Sequence, residues 1–205
     1  MLEIMHDAGW PIWLLLFTSV FGLALIIERF LSLRKKLILP PDLLSQVMDM
    51  VRQGKDTPEA LRLLAADSAL GRILAEVVAV NAEPQHLRQT AIEDAGADVS
   101  HRLNRYLPAL GTVAVVSPLL GLFGTVVGMI EIFGAYSPSG ADPSQLARGI
   151  SIALYNTGFG ILIAIPALIF HRYFRSRVEH FLHQMERQAS ALNRMLGKEP
   201  PRRQG

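Results

Sequence analysis

The sequence predicts an all-α integral membrane protein with three transmembrane helices, two of them long and extending into the cytoplasm, plus a cytoplasmic helical domain. Half of the 205 residues are hydrophobic and only 19% are charged. The charged residues lie outside three apolar segments, which is typical of polytopic membrane proteins. Each segment provides the roughly 20 residues that a spanning helix needs.

The first apolar segment runs from Ala8 to Ile27 without a charged residue. No Lys or Arg precedes it, so it lacks the basic region of a cleaved signal peptide. We therefore expect residues 1–33 to contain an N-terminal tail and a retained transmembrane helix 1.

Residues 34–106 form one large loop, and its pattern predicts helices. Asp42 is expected to cap the first, which ends at Gly54, and Thr57-Pro58 to begin the second. A third is predicted by apolar residues at 3.6-residue spacing, namely Leu70, Ile73, Leu74, Val77 and Val78. A polar helix beginning at Gln85 is expected to run straight into the second apolar segment.

The second and third apolar segments predict transmembrane helix 2 at residues 107–136 and transmembrane helix 3 at 147–172, with a short loop at 137–146 between them. Asp142-Pro143 is a capping residue followed by a proline suited to the first helical position, so the third helix is expected to begin there.

Residues 173–205 are predicted to continue the third helix and to end in a tail. The helix carries a narrow apolar stripe, formed by Val178, Phe181, Leu182, Met185, Ala189, Leu192 and Leu196. The stripe is consistent with packing inside the chain's own bundle and with a contact between subunits below the membrane.

Lys and Arg predict the orientation, because cytoplasmic loops are enriched in them. The basic residues cluster after segment one, before segment two and after segment three: Arg29, Arg34, Lys35, Lys36, Arg102, Arg105, Arg172, Arg175 and Arg177. This distribution predicts a periplasmic N-terminus, a periplasmic loop at 137–146 and a cytoplasmic C-terminus in a bacterial inner membrane.

Several functional classes find no support in the sequence. A net charge of +2 is too small to indicate nucleic-acid binding, and the absence of cysteine excludes thiolate metal sites. His180 and His183 have no acidic or thiol ligand in register, so we expect no metal site and no cofactor. No nucleophile–base set or phosphate loop occurs, so we do not expect an enzyme.

The second segment carries a face of small residues at i, i+4, i+7 and i+11, formed by Ser117, Gly121, Gly124 and Gly128. Small residues allow helices to approach closely in lipid. We therefore predict that this face packs against another helix.

Two threonines fall at one predicted depth. Thr125 and Thr157 lie 11 and 9 residues inward of their segments' outer ends, which corresponds to depths of about 17 Å and about 14 Å, respectively. The shared depth predicts that both line a polar path, together with the amide of Asn156. Each hydroxyl can alternatively bond its own helix backbone.

Glu131 is the only acidic residue within an apolar segment, about 8 Å below the outer surface. An intramembrane carboxylate is a functional candidate. Arg148 lies at the same predicted level, so an ion pair at the outer rim is the other interpretation, and the shallow position favours it.

The two motifs resemble a known family. Residues 119–130, Leu-Leu-Gly-Leu-Phe-Gly-Thr-Val-Val-Gly-Met-Ile, are similar to the second transmembrane helix of the ExbB/TolQ/MotA proton-channel family. Gly149-Ile150-Ser151, Thr157, Gly160 and residues 164–167 resemble its third helix. The resemblance covers nearly the whole chain and is strongest to the ExbB branch.

The resemblance implies a homopentamer around the transmembrane helices of an ExbD-like single-span subunit, whose aspartate carries protons inward. That motion energises a TonB-like protein and outer-membrane transport. The family's pore threonines correspond to Thr125 and Thr157. A TolQ-like role in outer-membrane integrity and a non-conducting membrane scaffold are the alternatives.

One position departs from the family pattern. ExbB and TolQ usually carry a glutamate in the run Gly-Ile-Ser/Ala-Glu-Ala-Leu, and this chain has Ile152 there. A relay that needs this carboxylate cannot operate in this chain. Either the partner's aspartate is the only titrating group, or Glu131 replaces the missing carboxylate from the other helix. We favour the first, because Glu131 is too shallow to share the level of the threonines.

Overall fold

A computed structural model describes residues 10–134 and 143–197, except for the side chains of residues 132, 143, 145, 146 and 148. Predictions for the N-terminal tail, most of the outer loop and the C-terminal tail lie outside these residues. All regular elements in the described part are α-helices. These are α1 Pro11–Ser32, α2 Lys35–Ile38, α3 Leu43–Arg52, α4 Pro58–Asp67, α5 Ala69–Ala79, α6 Gln85–Asn104, α7 Leu107–Gly134 and α8 Pro143–Leu196.

Among the described residues, three stretches of helix are long and apolar enough to cross a membrane. They lie within α1, within residues 85–131 and within residues 149–196. Large apolar side chains point outward from each of them, among them Phe17, Ile130 and Leu154. An outward apolar surface of this kind suits a lipid environment. The predicted fold class, an all-α membrane protein with three spanning helices, is confirmed.

The chain divides into two compact units, with boundaries after residues 29, 105 and 173. The first unit contains α1, α7 and the N-terminal part of α8. The second contains α2 to α6 and the C-terminal part of α8.

The second unit has a continuous apolar core. In α5, Leu70 and Leu74 are fully buried. The predicted stripe of α8 is also buried, since Val178, Met185 and Leu192 are 0% exposed. Within this unit the stripe therefore packs inside the chain's own bundle, which is the first of the two arrangements that the sequence allowed.

Two helices of the second unit begin with side-chain caps. Thr57 Oγ1 accepts a hydrogen bond from the Ala60 amide (3.3 Å), with Pro58 next to it as predicted. Ser68 Oγ accepts one from the Gly71 amide (3.0 Å) at the start of α5. A Cβ added at Gly71 would collide with the Leu64 carbonyl, so only glycine fits at this tight junction of α4 and α5.

These caps predict unequal stability effects. Ser68 is buried, so Ser68→Ala should lower the free energy of unfolding by about 1–2 kcal/mol. The matched variant Thr57→Ala removes an exposed cap of the same type and should have an effect of about 0.5 kcal/mol. Chemical denaturation in detergent measures both. Equal losses would contradict a special role for the buried cap.

Two details of the predicted loop are wrong. Asp42 precedes α3, but it adopts a left-handed conformation (φ 62°) and its side chain makes no capping hydrogen bond. The polar helix also does not run straight into the second segment, because α6 ends at Asn104 and α7 begins at Leu107. Pro108 has no N–H to bond the Asn104 carbonyl four residues earlier, which explains the break.

Candidate functional site

Two glycines, Gly121 and Gly160, bring the backbones of α7 and α8 into close contact. A Cβ added at Gly160 would lie 2.6 Å from the Ser117 carbonyl oxygen and 3.0 Å from the Gly121 Cα. One added at Gly121 would lie 2.7 Å from the Asn156 carbonyl oxygen and 3.1 Å from the Thr157 Cα. Real Cβ atoms do not approach backbone this closely, so the two backbones touch with no side chain between them.

The contact continues on both sides of this glycine pair. Ser117 is fully buried, and its hydroxyl donates a hydrogen bond to the Val113 carbonyl (2.6 Å). Toward the other end, a Cβ at Gly124 would lie 2.8 Å from Asn156 Cβ, and one at Gly128 would lie 4.0 Å from Ala153 Cβ. The small residues proposed for helix packing thus meet α8, with Gly121 and Gly124 far tighter than Gly128.

The pairing shows that α7 and α8 are antiparallel, because rising numbers on α7 meet falling numbers on α8. Gly124 faces Asn156, Thr125 follows Gly124, and Thr157 follows Asn156. Each step is about 1.5 Å along its helix, so the two threonines differ in level by about 3 Å.

The polar residues at this level have different surroundings. Asn156 is 0% exposed, so its amide lies entirely inside the α7–α8 contact. Thr125 and Thr157 are half-buried at its edge. Thr125 Oγ1 donates a hydrogen bond to the Leu122 carbonyl (2.7 Å), so this hydroxyl bonds its own helix and keeps its lone pairs available.

Glu131 and Ile152 lie near the opposite end of the contact from Ser117. Glu131 is exposed, three residues beyond Gly128 on α7. Ile152 is half-buried, next to Ala153, which faces Gly128. Arg148 belongs to α8, but its side chain lies outside the described part of the structure, so the proposed pair with Glu131 stays a prediction.

The structure shows a buried face of α8 that the sequence analysis did not identify, although it named Asn156, Gly160 and residues 164–167 separately. The members of this face are Ala153, Asn156, Gly160, Ala164 and Ala167. Their spacing of three or four residues is the signal that would have found this face. Near the other end, the His171 ring packs against α7, with Nε2 3.1 Å from where a Cβ at Gly111 would stand.

A buried cation was also missed. Arg29, at the C-terminal end of α1, is only 3% exposed. Its guanidinium donates a hydrogen bond to Glu28 Oε1 (2.7 Å) and lies 4.9 Å from the centre of the Tyr106 ring. The sequence analysis used Arg29 only to predict the orientation, whereas the structure shows that its side chain contacts Tyr106, the residue just before α7.

The chemistry available at this site is hydrogen bonding. Hydroxyls and an amide can accept and donate hydrogen bonds to water or to a protonated group, but they do not titrate near neutral pH. Among the described residues, no group of three or more His, Cys, Asp or Glu could hold a metal ion. These side chains can therefore form hydrogen bonds with a protonated group, but they do not themselves take up a proton near neutral pH.

Comparisons with known proteins give a consistent result. Residues 65–187 match the model of the MotA/TolQ/ExbB proton channel family. The chain is similar to the biopolymer transport protein exbB1 of Vibrio cholerae, with 30% identity over 81% of this chain and 75% of that protein.

Two further relatives agree. An ExbB homolog of Methanothermobacter thermautotrophicus is 27% identical over 90% of this chain, which spans 66% of that protein's length. The Tol-Pal system protein TolQ of Pseudomonas aeruginosa is 42% identical over a shorter stretch, 38% of this chain and 34% of TolQ.

Proposed function

The chain belongs to the MotA/TolQ/ExbB proton channel family, and from that premise we propose that it is the proton-channel subunit of an inner-membrane motor complex driven by the proton motive force. This family is one of channels and not of enzymes. In this proposal the N-terminus is periplasmic, the C-terminus is cytoplasmic, and the complex energises TonB-dependent transport across the outer membrane.

One observation carries the proposal. The Gly121–Gly160 contact holds α7 and α8 in a fixed register that places Thr125, Asn156 and Thr157 within about one helical turn of each other. All of α7 and residues 143–187 of α8 lie in the segment matched by the family. We assign these three residues to the proton path, and Ser117, Gly121, Gly124 and Gly128 to helix packing.

The path needs an acid from another chain. Ile152 occupies the position where the family usually has a glutamate, and the buried polar side chains of the α7–α8 contact, Ser117 and Asn156, do not titrate. We propose that copies of this chain, five in number, surround an ExbD-like single-span subunit whose aspartate carries the proton. A potential of 100 mV supplies about 2.3 kcal/mol per charge, so several protons can drive a conformational change.

The flux test separates a channel from a scaffold. The chain and its single-span partner are reconstituted in liposomes with an internal pH dye and an imposed potential. A channel acidifies the liposomes only when both proteins are present. A complex that assembles but gives no partner-dependent flux would reject the channel and favour the non-conducting scaffold. The scaffold is a specific alternative because Ile152 stands where ExbB and TolQ usually have a carboxylate.

A TolQ-like task is the second candidate, since two TolQ proteins share 42% and 43% identity with parts of this chain. Deletion of the gene distinguishes the branches. Loss of TonB-dependent uptake with an intact outer membrane supports the ExbB-like role. Leakage of periplasmic protein with normal uptake supports the TolQ-like role.

Glu131 provides a separate prediction. If it forms an outer-rim ion pair with Arg148, Glu131→Gln and Arg148→Gln should lower the yield of assembled complex similarly, while the assembled fraction keeps its proton flux. Native gels and the liposome assay measure the two quantities. Normal assembly with lost flux in Glu131→Gln alone would instead identify this carboxylate as a proton relay.

A further inference from the structure

Among the described residues of the second unit, a cleft lies on each side of the C-terminal part of α8. One is a cavity of about 600 Å³ between α6 and α8. The other is a cavity of about 640 Å³ beside α8 with Leu44 of α3 in its wall. His183, Glu186 and Ser190 line both cavities, so this part of α8 is the ridge that separates them.

The cleft between α6 and α8, termed here the acidic groove, is lined by the carboxylates of Glu93, Glu179 and Glu186. Among the described residues, no Lys or Arg lines it. Arg175 pairs with Glu179 (3.2 Å), whereas Glu93 accepts a hydrogen bond from the neutral amide of Gln89 (2.6 Å). The groove therefore retains negative charge.

The cleft on the other side of the ridge, termed here the basic cleft, is lined by Arg187 and Arg194, whose two positive charges outnumber the single carboxylate of the shared Glu186. The two arginines are seven residues apart, so they lie on the same flank of α8, with Ala191 between them. Both side chains are exposed. Two ion pairs of α8 in the described part of the chain involve other residues, Arg175 with Glu179 and His183 with Glu186.

The acidic groove also has room for a neighbour. Gly96 and Ala97 form part of its wall, and a Cβ added at Gly96 would meet nothing within 4 Å. A wall of small residues permits another helix to approach closely. The charge and the shape of this groove thus suit a helix that presents guanidinium groups.

We infer that the acidic groove of one copy of this chain binds the basic cleft of a second copy, head to tail. The inference rests on the proposed homo-oligomer. A single chain carries both surfaces, with opposite charge on opposite flanks of one helix, so copies complement each other without another protein. A head-to-tail contact leaves one surface open at each end, and a closed ring satisfies every copy.

Disulfide crosslinking tests this contact directly, because the chain has no cysteine of its own. Gly96→Cys and Ala191→Cys are made as separate, differently tagged chains, expressed together and oxidised in membranes. We expect a dimer that contains both tags, and no dimer when either variant is expressed alone. Glu93→Cys with Arg194→Cys is the second pair, in case one glycine or alanine variant is poorly expressed.

Charge reversal provides the specific control. Glu93→Lys in the Gly96→Cys chain should lower the yield of the mixed dimer about tenfold at low salt. Arg194→Glu in the Ala191→Cys chain should restore the yield, because charges at the rim of an interface act through complementarity and are screened by salt. Glu83→Lys, an exposed charge outside the groove, should leave the yield unchanged.

The outcomes separate this inference from the proposed function. If neither pair gives a mixed dimer, or if either variant crosslinks to itself, the head-to-tail contact is wrong even if proton flux is normal. Mixed dimers without partner-dependent flux would retain the contact and reject the channel. Capture of a different basic protein at Gly96→Cys, with no mixed dimer, would also overturn the inference.

Discussion

Gly160→Ala is expected to destabilise the α7–α8 pair by about 1–3 kcal/mol, the range for overpacking a well-packed site. The new methyl group would stand 2.6 Å from the Ser117 carbonyl oxygen, and both groups are backbone-bound, so neither can move without shifting a helix. Thermal unfolding in detergent and the yield of assembled complex measure the loss. Gly121→Ala should behave in the same way, since its methyl would meet the Asn156 carbonyl.

Gly158 is the matched control on the same helix. It is two residues from Gly160, and a Cβ added there meets nothing within 4 Å. Gly158→Ala should be neutral or slightly stabilising, because alanine favours helix by about 1 kcal/mol over glycine. If both alanine variants unfolded at the same temperature, a general need for glycine in this helix would explain the data better than the backbone contact.

Thr157→Val is expected to lower partner-dependent proton flux about tenfold to 100-fold without changing assembly. Valine has nearly the shape of threonine but no hydroxyl. A hydrogen bond to a charged group is worth about 1.5–3 kcal/mol, and each 1.36 kcal/mol added to a barrier slows passage tenfold. The liposome assay measures the flux, and Thr157→Ser should retain most of it.

Thr112→Val is the control for Thr157→Val. Thr112 lies on α7 outside the Thr125 level, and its exposed hydroxyl bonds the Pro108 carbonyl (3.0 Å). Its replacement should leave flux within about twofold of the unaltered protein, since only a local backbone bond is lost. Full flux in Thr157→Val would show that the hydroxyl does not belong to the proton path, even though it lies near Thr125 along the helix axis.

Much of the fold follows from patterns that extend over many residues. The three apolar segments and the buried stripe of the C-terminal part of α8 each reflect a pattern that extends over several turns. Single-residue signals were less dependable. Asp42 has a side chain suited to capping, yet its backbone adopts a left-handed conformation (φ 62°). Pro108 interrupts the helix that was predicted to run without a break from Gln85 into the second apolar segment.

The site required the structure for a different reason. The sequence contains both Gly158 and Gly160, and nothing local distinguishes a glycine that faces open space from one that faces another backbone. Likewise, the burial of Arg29 depends on Tyr106, which is distant in the sequence. Contacts between distant segments depend on register and rotation, and a single sequence specifies neither.

The Gly121–Gly160 contact also has a thermodynamic consequence. Bringing most side chains together costs rotamer entropy, up to about 2 kcal/mol for the long flexible ones, whereas glycine loses none. The centre of the α7–α8 contact is therefore formed by glycines, which have no side-chain rotamers to change. Any motion driven by proton passage must therefore move the two helices together or separate them at this contact, because no side chain there can change rotamer to accommodate the motion.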